Sequence, residues 1–184
     1  TAPGAVEARQ TLPSVIYVRG EAELPAGALN LPWRADPGYC VGEFAREQGG
    51  RAPGRMIHSS KSWLCHDGVD REARILPPAG REEDARRSPV EAATMILDHL
   101  RAAWNHAMAQ GWPGPGAPPD LAEQQVILCV PASFDAAARG LTMKAAEAAG
   151  LVHVQLLEEP QAAFHAWIAD TGAEWRRRAI QAWK

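Results

Sequence analysis

Apolar residues between positions 88 and 110 recur three and four positions apart, which places them on one face of a helix. They are Ala93, Ile96, Leu97, Leu100, Trp104, Ala107 and Met108. Ser88, Pro89 and Glu91 match a capping box with proline at the first helical position, which predicts where this helix begins. We expect Gly111 to end it.

A strand–helix–strand pattern follows. The segment VILCV (126–130) has no polar alternation, which predicts a strand buried on both faces, as in a parallel sheet. A helix that Asp135 can cap runs to Gly150, and VHVQLL (152–157) predicts the next strand. Strands joined in this way are parallel, and ligands of such sheets bind beyond the carboxyl ends of the strands.

Residues of distinctive chemistry stand at those two strand ends. Pro131 follows the first strand, and Glu158 and Glu159 follow the second. The glutamates precede a helix predicted over 160–169, with Pro160 at its first position, where acidic side chains complement the helix dipole. Acids at strand ends also serve as ligands of metals or water. The residues alone leave both interpretations open.

Shorter apolar runs predict the elements of the first part of the chain. TLPSVIYV (11–18) predicts a strand, and YCVGEFAREQGG (39–50) predicts a short strand followed by a turn of helix. The segment 55–70 predicts a helix that is broken at its Asp-Gly pair. The Pro- and Gly-rich segment 111–120 predicts a surface connection.

Composition narrows the class of protein. With 184 residues, 46% hydrophobic residues and a net charge of -3, the chain suits one domain or two small subdomains, and its bulk charge suggests no nucleic-acid or membrane partner. No apolar run reaches the roughly 18 residues that span a bilayer. The chain does not begin with Met, so we expect a piece of a longer protein.

Candidate chemistry is sparse at the level of short motifs. Cys40, Cys65 and Cys129 are odd in number and widely spaced, which favours a reducing compartment over a disulfide framework. A zinc site built from Cys65-His66 and Cys40 lacks the usual CxxC or HxxxH pair. The patterns GxxxxGK[ST], GxGxxG and GxSxG are absent. The residues by themselves predict an α/β protein with a ligand-facing strand edge and name no reaction.

Four short motifs follow one another between residues 130 and 163. They are VPASF (130–134), Arg139 with Thr142, AGL (149–151), and Glu159-Pro160 followed by Ala162-Ala163. Their order and spacing resemble the nucleotide-binding domain of the Hsp70 (DnaK-like) chaperones. LPSVIYV (12–18), VGEFAREQ (41–48), SSKSWLC (59–65) and the helix at SPVE (88–91) resemble upstream segments of that family. The resemblance covers about residues 11 to 169 and indicates a divergent bacterial branch.

The resemblance implies a partial actin-like ATPase (ribonuclease H-like) fold of the α/β class. Residues 11–119 would form a peripheral α/β subdomain of lobe I, residues 120–170 the βαβ part of its core subdomain, and residues 171–184 a C-terminal tail. The family holds Mg-ATP with two glycine-rich loops, DxGT and DxGGG, and neither motif is in this sequence. We therefore expect this chain to be part of lobe I and to be inactive alone.

Four residues acquire candidate roles from the resemblance. Lys61 matches the family's catalytic lysine, which orients the attacking water and the γ-phosphate, and Glu159 matches the acid that reaches the metal through water. Pro131 matches the proline treated as a conformational switch, and Arg139 matches the arginine that relays this switch to the substrate domain. Ordinary alternatives are a surface lysine, a helix-dipole acid, a strand terminator and a solvated arginine.

The function that the resemblance implies belongs to a longer parent protein. That parent would be a cytoplasmic, stress-response chaperone that couples ATP hydrolysis to the binding of unfolded peptide. ATP or ADP and Mg would be its cofactors, and unfolded peptides and cochaperones its partners, with no nucleic acid or membrane involved. One alternative is an actin-like or regulatory Hsp70-like scaffold that binds nucleotide without peptide-binding activity. Another is a stand-alone interaction module.

Overall fold

The computed structural model describes residues 6–7, 9–20, 24–78, 80 and 82–182, which form a mixed α/β arrangement with two small sheets. In this described part the strands are β1 (Val15–Val18), β2 (Tyr39–Val41), β3 (Met56–His58), β4 (Val126–Val130) and β5 (Val154–Glu158). The helices are α1 (Glu43–Arg51), α2 (Ser60–Trp63), α3 (Pro89–Gly111), α4 (Ala136–Ala148), α5 (Glu159–Thr171) and α6 (Trp175–Ala182). Short 3-10 turns lie at Pro53–Arg55, Glu83–Ala85, Leu121–Glu123 and Gly172–Glu174.

The first sheet has the order β2-β1-β3, and both pairings are antiparallel. Ile16 in the central strand pairs with Val41 on one side and Ile57 on the other. Ile16 and Ile57 are almost fully buried, and they share a hydrophobic cluster. The buried members of this cluster are Ile16, Val18, Val41, Ile57, Leu76, Ala85 and Ala92.

The helix predicted over 55–70 is wrong for its first part. Residues Met56–His58 form β3 instead, and the helical part shortens to the single turn of α2. The reason is tertiary, because Met56, Ile57 and His58 complete the edge of the first sheet and Ile57 is buried there against Ile16. A short apolar run cannot distinguish strand from helix by periodicity alone.

Helix α3 begins as the capping-box pattern predicts. The Ser88 hydroxyl accepts a hydrogen bond from the Glu91 backbone N–H at 3.0 Å, and the Ser88 N–H donates to the Glu91 carboxylate at 2.7 Å. Helix α3 packs against two hydrophobic clusters, one beside each sheet. Met95 and Ile96 pack on the first cluster, and Val90, Ala93 and Leu97 pack on a second one.

The second sheet confirms the predicted strand–helix–strand unit. Strands β4 and β5 are parallel, in register from Val126 beside Val154 to Val130 beside Glu158. Helix α4 connects them, and the Asp135 carboxylate caps it by accepting the Ala138 N–H at 2.6 Å. The buried residues of the second cluster are Leu64, Val90, Val130, Phe134, Ala138 and Ala145.

The prediction that β4 is buried on both faces is wrong. Ile127 is 62% exposed and Cys129 is also exposed, while Val130 is 2% exposed. The hydrophobic cluster that includes α3 and α4 covers the face that carries Val130 and Leu156. The opposite face of this two-stranded sheet therefore remains largely open to solvent within the described residues.

The C-terminal part is helical. Helix α5 extends the prediction for 160–169 by a few residues, and α6 occupies most of the segment predicted as a tail. The last two residues of that predicted tail, Trp183 and Lys184, lie outside the described residues. Among the helices that are described, none is long and apolar enough to cross a membrane.

Candidate functional site

Lys61 and Glu159, which are 98 positions apart in the sequence, form an ion pair. The Lys61 Nζ atom donates a hydrogen bond to the Glu159 carboxylate. Both side chains are about half exposed, at 51% and 49%. An exposed ion pair of this kind contributes under about 1 kcal/mol to stability. The structure thus brings these two predicted site residues together, and their ion pair contributes little to the stability of the fold.

Local backbone geometry places each of these side chains. Strand β3 ends at His58, and Ser59 adopts a left-handed conformation (φ 57°) that turns the chain directly into α2 and its Lys61. Strand β5 ends at Glu158 and α5 begins at Glu159, one residue earlier than predicted, so Pro160 is the second residue of the helix, within the first turn where proline is tolerated. Glu159 consequently stands at the carboxyl end of a parallel strand, where the sequence pattern predicts a ligand-facing edge.

The neighbouring carboxylate, Glu158, holds a second cation. The Arg139 Nη2 atom of α4 donates to Glu158 at 2.5 Å, and its Nε atom donates to the Phe134 carbonyl at 3.3 Å. Each of the two consecutive glutamates therefore binds a cationic side chain from a different helix. Arg139 is tied both to the end of β5 and to the residues that precede α4.

Pro131 lies at the start of the turn between β4 and α4. Its carbonyl accepts the Phe134 N–H at 3.1 Å, and Phe134 is buried in the second cluster with Leu64. Pro131 is thus one turn away from the residue whose carbonyl holds Arg139. Its role as a switch stays a prediction.

Arg71 is a residue of this region that the sequence interpretation missed. Its Nη1 and Nη2 atoms donate to the two carboxylate oxygens of Asp135, each at 3.1 Å. Arg71, together with the Ala138 N–H, holds the pKa of Asp135 below its ordinary value. Asp135 was predicted as a helix cap, but no local pattern indicates a partner 64 positions away.

The donor set bears on whether a metal could bind here directly. Among the described residues, no three His, Cys, Asp or Glu side chains are grouped closely enough to hold a metal ion. Glu158 and Glu159 are each engaged by a cationic side chain. This set fits contact with Mg²⁺ through the water molecules that this ion retains, and it does not fit direct chelation.

The conceivable zinc ligand Cys40 is poorly suited to that role. Burial raises the pKa of its thiol to about 12. A thiol must lose its proton to bind zinc, so this shift disfavours the metal-binding form.

A further polar cluster joins the loop before β2, β2 itself and α3. Arg34 donates two hydrogen bonds to Asp98, at 2.5 and 3.0 Å, and the Tyr39 hydroxyl donates to the same carboxylate at 3.3 Å. The hydrogen bonds from Arg34 hold the pKa of Asp98 below its ordinary value. This cluster pins α3 to the first sheet.

Comparison with known proteins identifies relatives that share most of this chain. The chaperone protein HscA homolog of Burkholderia lata is 31% identical over 163 residues, which cover 81% of this chain and 24% of that protein. HscA of Pectobacterium carotovorum subsp. carotovorum is 29% identical over 180 residues, covering 91% and 25%. The HscA homolog of Azoarcus sp. is 31% identical over 169 residues, covering 91% and 24%. No family model matches the chain.

The fold and the site define an α/β protein with paired cations and carboxylates at the carboxyl edge of a parallel strand pair. By homology over most of its length to HscA chaperones, the chain is a divergent Hsp70-like sequence, which confirms the predicted resemblance. The chain spans about a quarter of the length of the curated relatives it matches.

Proposed function

We propose that this chain forms part of the ATP-binding domain of an Hsp70-like chaperone, within an actin-like ATPase fold. The observation that carries the proposal is the contact between Lys61 and Glu159 across 98 positions, at the carboxyl edge of β5. Homology to HscA chaperones supports it independently. In this proposal residues 11–119 are the peripheral subdomain of lobe I, residues 120–170 are its core βαβ part, and residues 171–184 follow as a tail.

The chemistry assigned to Lys61 follows from its setting. Phosphoryl transfer depends mainly on positioning and on stabilising negative charge. The Lys61 ammonium is half exposed, and leaving Glu159 costs little because exposed ion pairs are weak. It can therefore turn toward a phosphate oxygen and hold the attacking water in place.

Glu159 would act on water rather than on the phosphate itself. Its carboxylate accepts a hydrogen bond from Lys61, and it can accept further hydrogen bonds from water. Magnesium, when bound with the nucleotide, would neutralise phosphate charge, and Glu159 would hold one of its water molecules.

Arg139 and Pro131 would transmit the state of the site. Glu158, which Arg139 binds, is the residue next to Glu159, so a rearrangement at Glu159 reaches α4 through one peptide unit. Pro131 and Phe134 form the turn that leads into the same helix. Binding of unfolded peptides and cochaperones is proposed for the whole protein, where such coupling would be used.

The test compares two exposed lysines with similar surroundings. Lys61 pairs with Glu159, and Lys144 pairs with Glu72, with all four side chains about half exposed. In the complete gene product, Lys61→Ala should lower the Mg-ATP turnover number by about a hundredfold, because it removes a charge that acts on the reacting phosphate. Lys144→Ala should leave turnover within about twofold, and both variants should unfold within about 1 kcal/mol of the wild type.

Other outcomes would reject the proposal in distinct ways. If calorimetry shows that the complete gene product binds neither Mg-ATP nor Mg-ADP, the nucleotide site is wrong and an interaction module replaces it. Equal losses in the two lysine variants would remove the role of Lys61. Nucleotide binding with no effect of ATP on peptide affinity would favour the scaffold over a chaperone.

A further inference from the structure

Three ion pairs connect the segment 61–72 to the unit formed by β4, α4, β5 and α5. They are Lys61 with Glu159, Arg71 with Asp135, and Glu72 with Lys144. The first and third lie between side chains that are about half exposed. Arg71 differs from the others, because its side chain is only 13% exposed.

The guanidinium of Arg71 is held through all three of its nitrogen atoms. Nη1 and Nη2 bind both oxygens of Asp135, Nη2 also donates to Asp67 at 2.7 Å, and Nε donates to the His66 carbonyl at 3.2 Å. A planar fork that binds a carboxylate through two nitrogens restricts direction as well as distance. Arg71 thus orients Asp135 relative to the loop that follows α2.

The contacts of Arg71 close a ring around the candidate site. Asp135 caps α4 and follows Phe134, whose carbonyl binds Arg139. Arg139 binds Glu158, the neighbour of Glu159, and Glu159 binds Lys61. The His66 N–H donates to the Trp63 carbonyl, which returns the ring to α2.

We propose that Arg71 is a positioning residue that fixes the start of α4, and with it Arg139, relative to Lys61. This inference rests on the proposed function and adds to it the residue that links the catalytic pair to the coupling residues. Arg71 need not touch nucleotide, because it acts through Asp135 and the Phe134 carbonyl. Lysine cannot replace its function fully, because an ammonium lacks the fork that engages both carboxylate oxygens.

The chain offers a matched control in Arg74. Arg74 lies three residues further on and binds the carboxylate of Glu91 in the first turn of α3, as Arg71 binds the residue that caps α4. Its side chain is 59% exposed, and its partner contributes nothing to the ring. Arg74→Ala therefore removes a similar ion pair without affecting the start of α4.

The first experiment needs no nucleotide. In ¹H–¹⁵N spectra of the 184-residue chain, Arg71→Ala should shift the amide resonances of residues 134–139, and Arg71→Lys should shift them less. Arg74→Ala should shift those of residues 88–91 and leave 134–139 in place. If Arg71→Ala leaves residues 134–139 unshifted, the inference is wrong.

The second experiment measures ATP turnover in the complete gene product. Arg71→Ala should lower kcat about fivefold to tenfold, a usual size for coupling between sites, with KM for ATP within about twofold. Arg71→Lys should recover part of this loss, and Arg74→Ala should cause none. The double variant Arg71→Ala/Arg139→Ala should be no slower than Arg139→Ala alone, because both residues act through one linkage.

The two proposals fail in different ways. If the wild type turns over ATP and Lys61→Ala lowers that turnover as expected, but Arg71→Ala behaves as Arg74→Ala does, only the inference about Arg71 is overturned. Losses from Arg71→Ala and Arg139→Ala that multiply would also overturn it. If the wild type has no turnover, the proposed function fails, and the spectra alone decide whether Arg71 orders the start of α4.

Discussion

Charged side chains in this protein differ in how far water reaches them, and this difference supports the different roles that we propose for Arg71 and Lys61. The Arg71 side chain is mostly covered, and it binds its partner with two hydrogen bonds. Lys61 and Glu159 remain half exposed. Asp135, the partner of Arg71, is 48% exposed, so what distinguishes this pair is the covered arginine and its two-point geometry. An exposed lysine, in contrast, can exchange its carboxylate for a ligand at little cost.

The Arg34–Asp98 pair predicts a pH-dependent stability. The pKa of Asp98 is lowered because Arg34 donates two hydrogen bonds to its carboxylate. The ionised Asp98 therefore stabilises the fold above about pH 4, which is the pKa of an aspartate in the unfolded chain. This contribution is lost as the pH falls through the lower pKa of Asp98 in the folded protein. The melting temperature of the wild type should exceed that of Asp98→Asn at about pH 6, and the difference should close toward about pH 2.

The control for this measurement is Asp170→Asn. Asp170 lies on the exposed surface of α5. The wild type and Asp170→Asn should have the same melting temperature from about pH 6 to about pH 2. A difference between wild type and Asp98→Asn that stays constant down to about pH 2 would contradict the assignment to Asp98 ionisation.

Among the elements, α3 has the largest structural role, because it packs against both hydrophobic clusters. Its start depends on Ser88, which is 4% exposed and satisfies a backbone N–H that the helix leaves unpaired. Ser88→Ala should lower the free energy of unfolding by about 1 kcal/mol, as measured by urea denaturation.

Thr171 provides the comparison for this cap. It precedes a 3-10 turn, and its side chain makes no capping hydrogen bond. Thr171→Ala should therefore change the free energy of unfolding by less than about 0.5 kcal/mol. Equal costs for the two substitutions would show that the capping bond at Ser88 is not what stabilises α3.

The whole molecule combines a sheet with a buried interior and a sheet with one open face. One isoleucine from each sheet shows this difference: Ile57 in β3 is 1% exposed and Ile127 in β4 is 62% exposed. Ile57→Ala should lower the free energy of unfolding by about 2–5 kcal/mol, because it removes buried apolar surface and leaves a cavity. Ile127→Ala should cost less than about 1 kcal/mol.

Urea denaturation of the 184-residue chain at two protein concentrations completes this comparison. If Ile57→Ala lowers the free energy of unfolding much more than Ile127→Ala does, and neither cost changes with protein concentration, the exposed face of β4 is open in solution. A large cost for Ile127→Ala that grows with protein concentration would instead mean that a second copy covers this face in solution.

Elements with strong local signals are those that the sequence predicts well. The capping box at Ser88, the cap at Asp135 and the parallel pairing of β4 with β5 are all confirmed. Each depends on residues within a few positions of one another, or on a strand–helix–strand order that leaves one sensible pairing. Strand β3 was missed because its three residues carry no period, and only β1 makes them a strand.

The residues of the candidate site also fall into a predicted group and an unpredicted one. Lys61, Glu159, Pro131 and Arg139 became candidates through a family resemblance, whereas their residue types alone left ordinary alternatives open. Arg71 had no signal in the sequence at all. An arginine in a polar loop has many possible partners, and chain folding alone selects Asp135.

The sequence by itself determined where α3 and α4 begin, the strand–helix–strand unit and the family to which it is related, because local periods, caps and motif order are written in neighbouring residues. Tertiary structure alone decided the contacts of Lys61 with Glu159 and of Arg71 with Asp135, which span 98 and 64 positions. It also decided that β4 buries one face and exposes the other. Burial and ion pairing depend on what the folded chain packs nearby, and no local pattern specifies that.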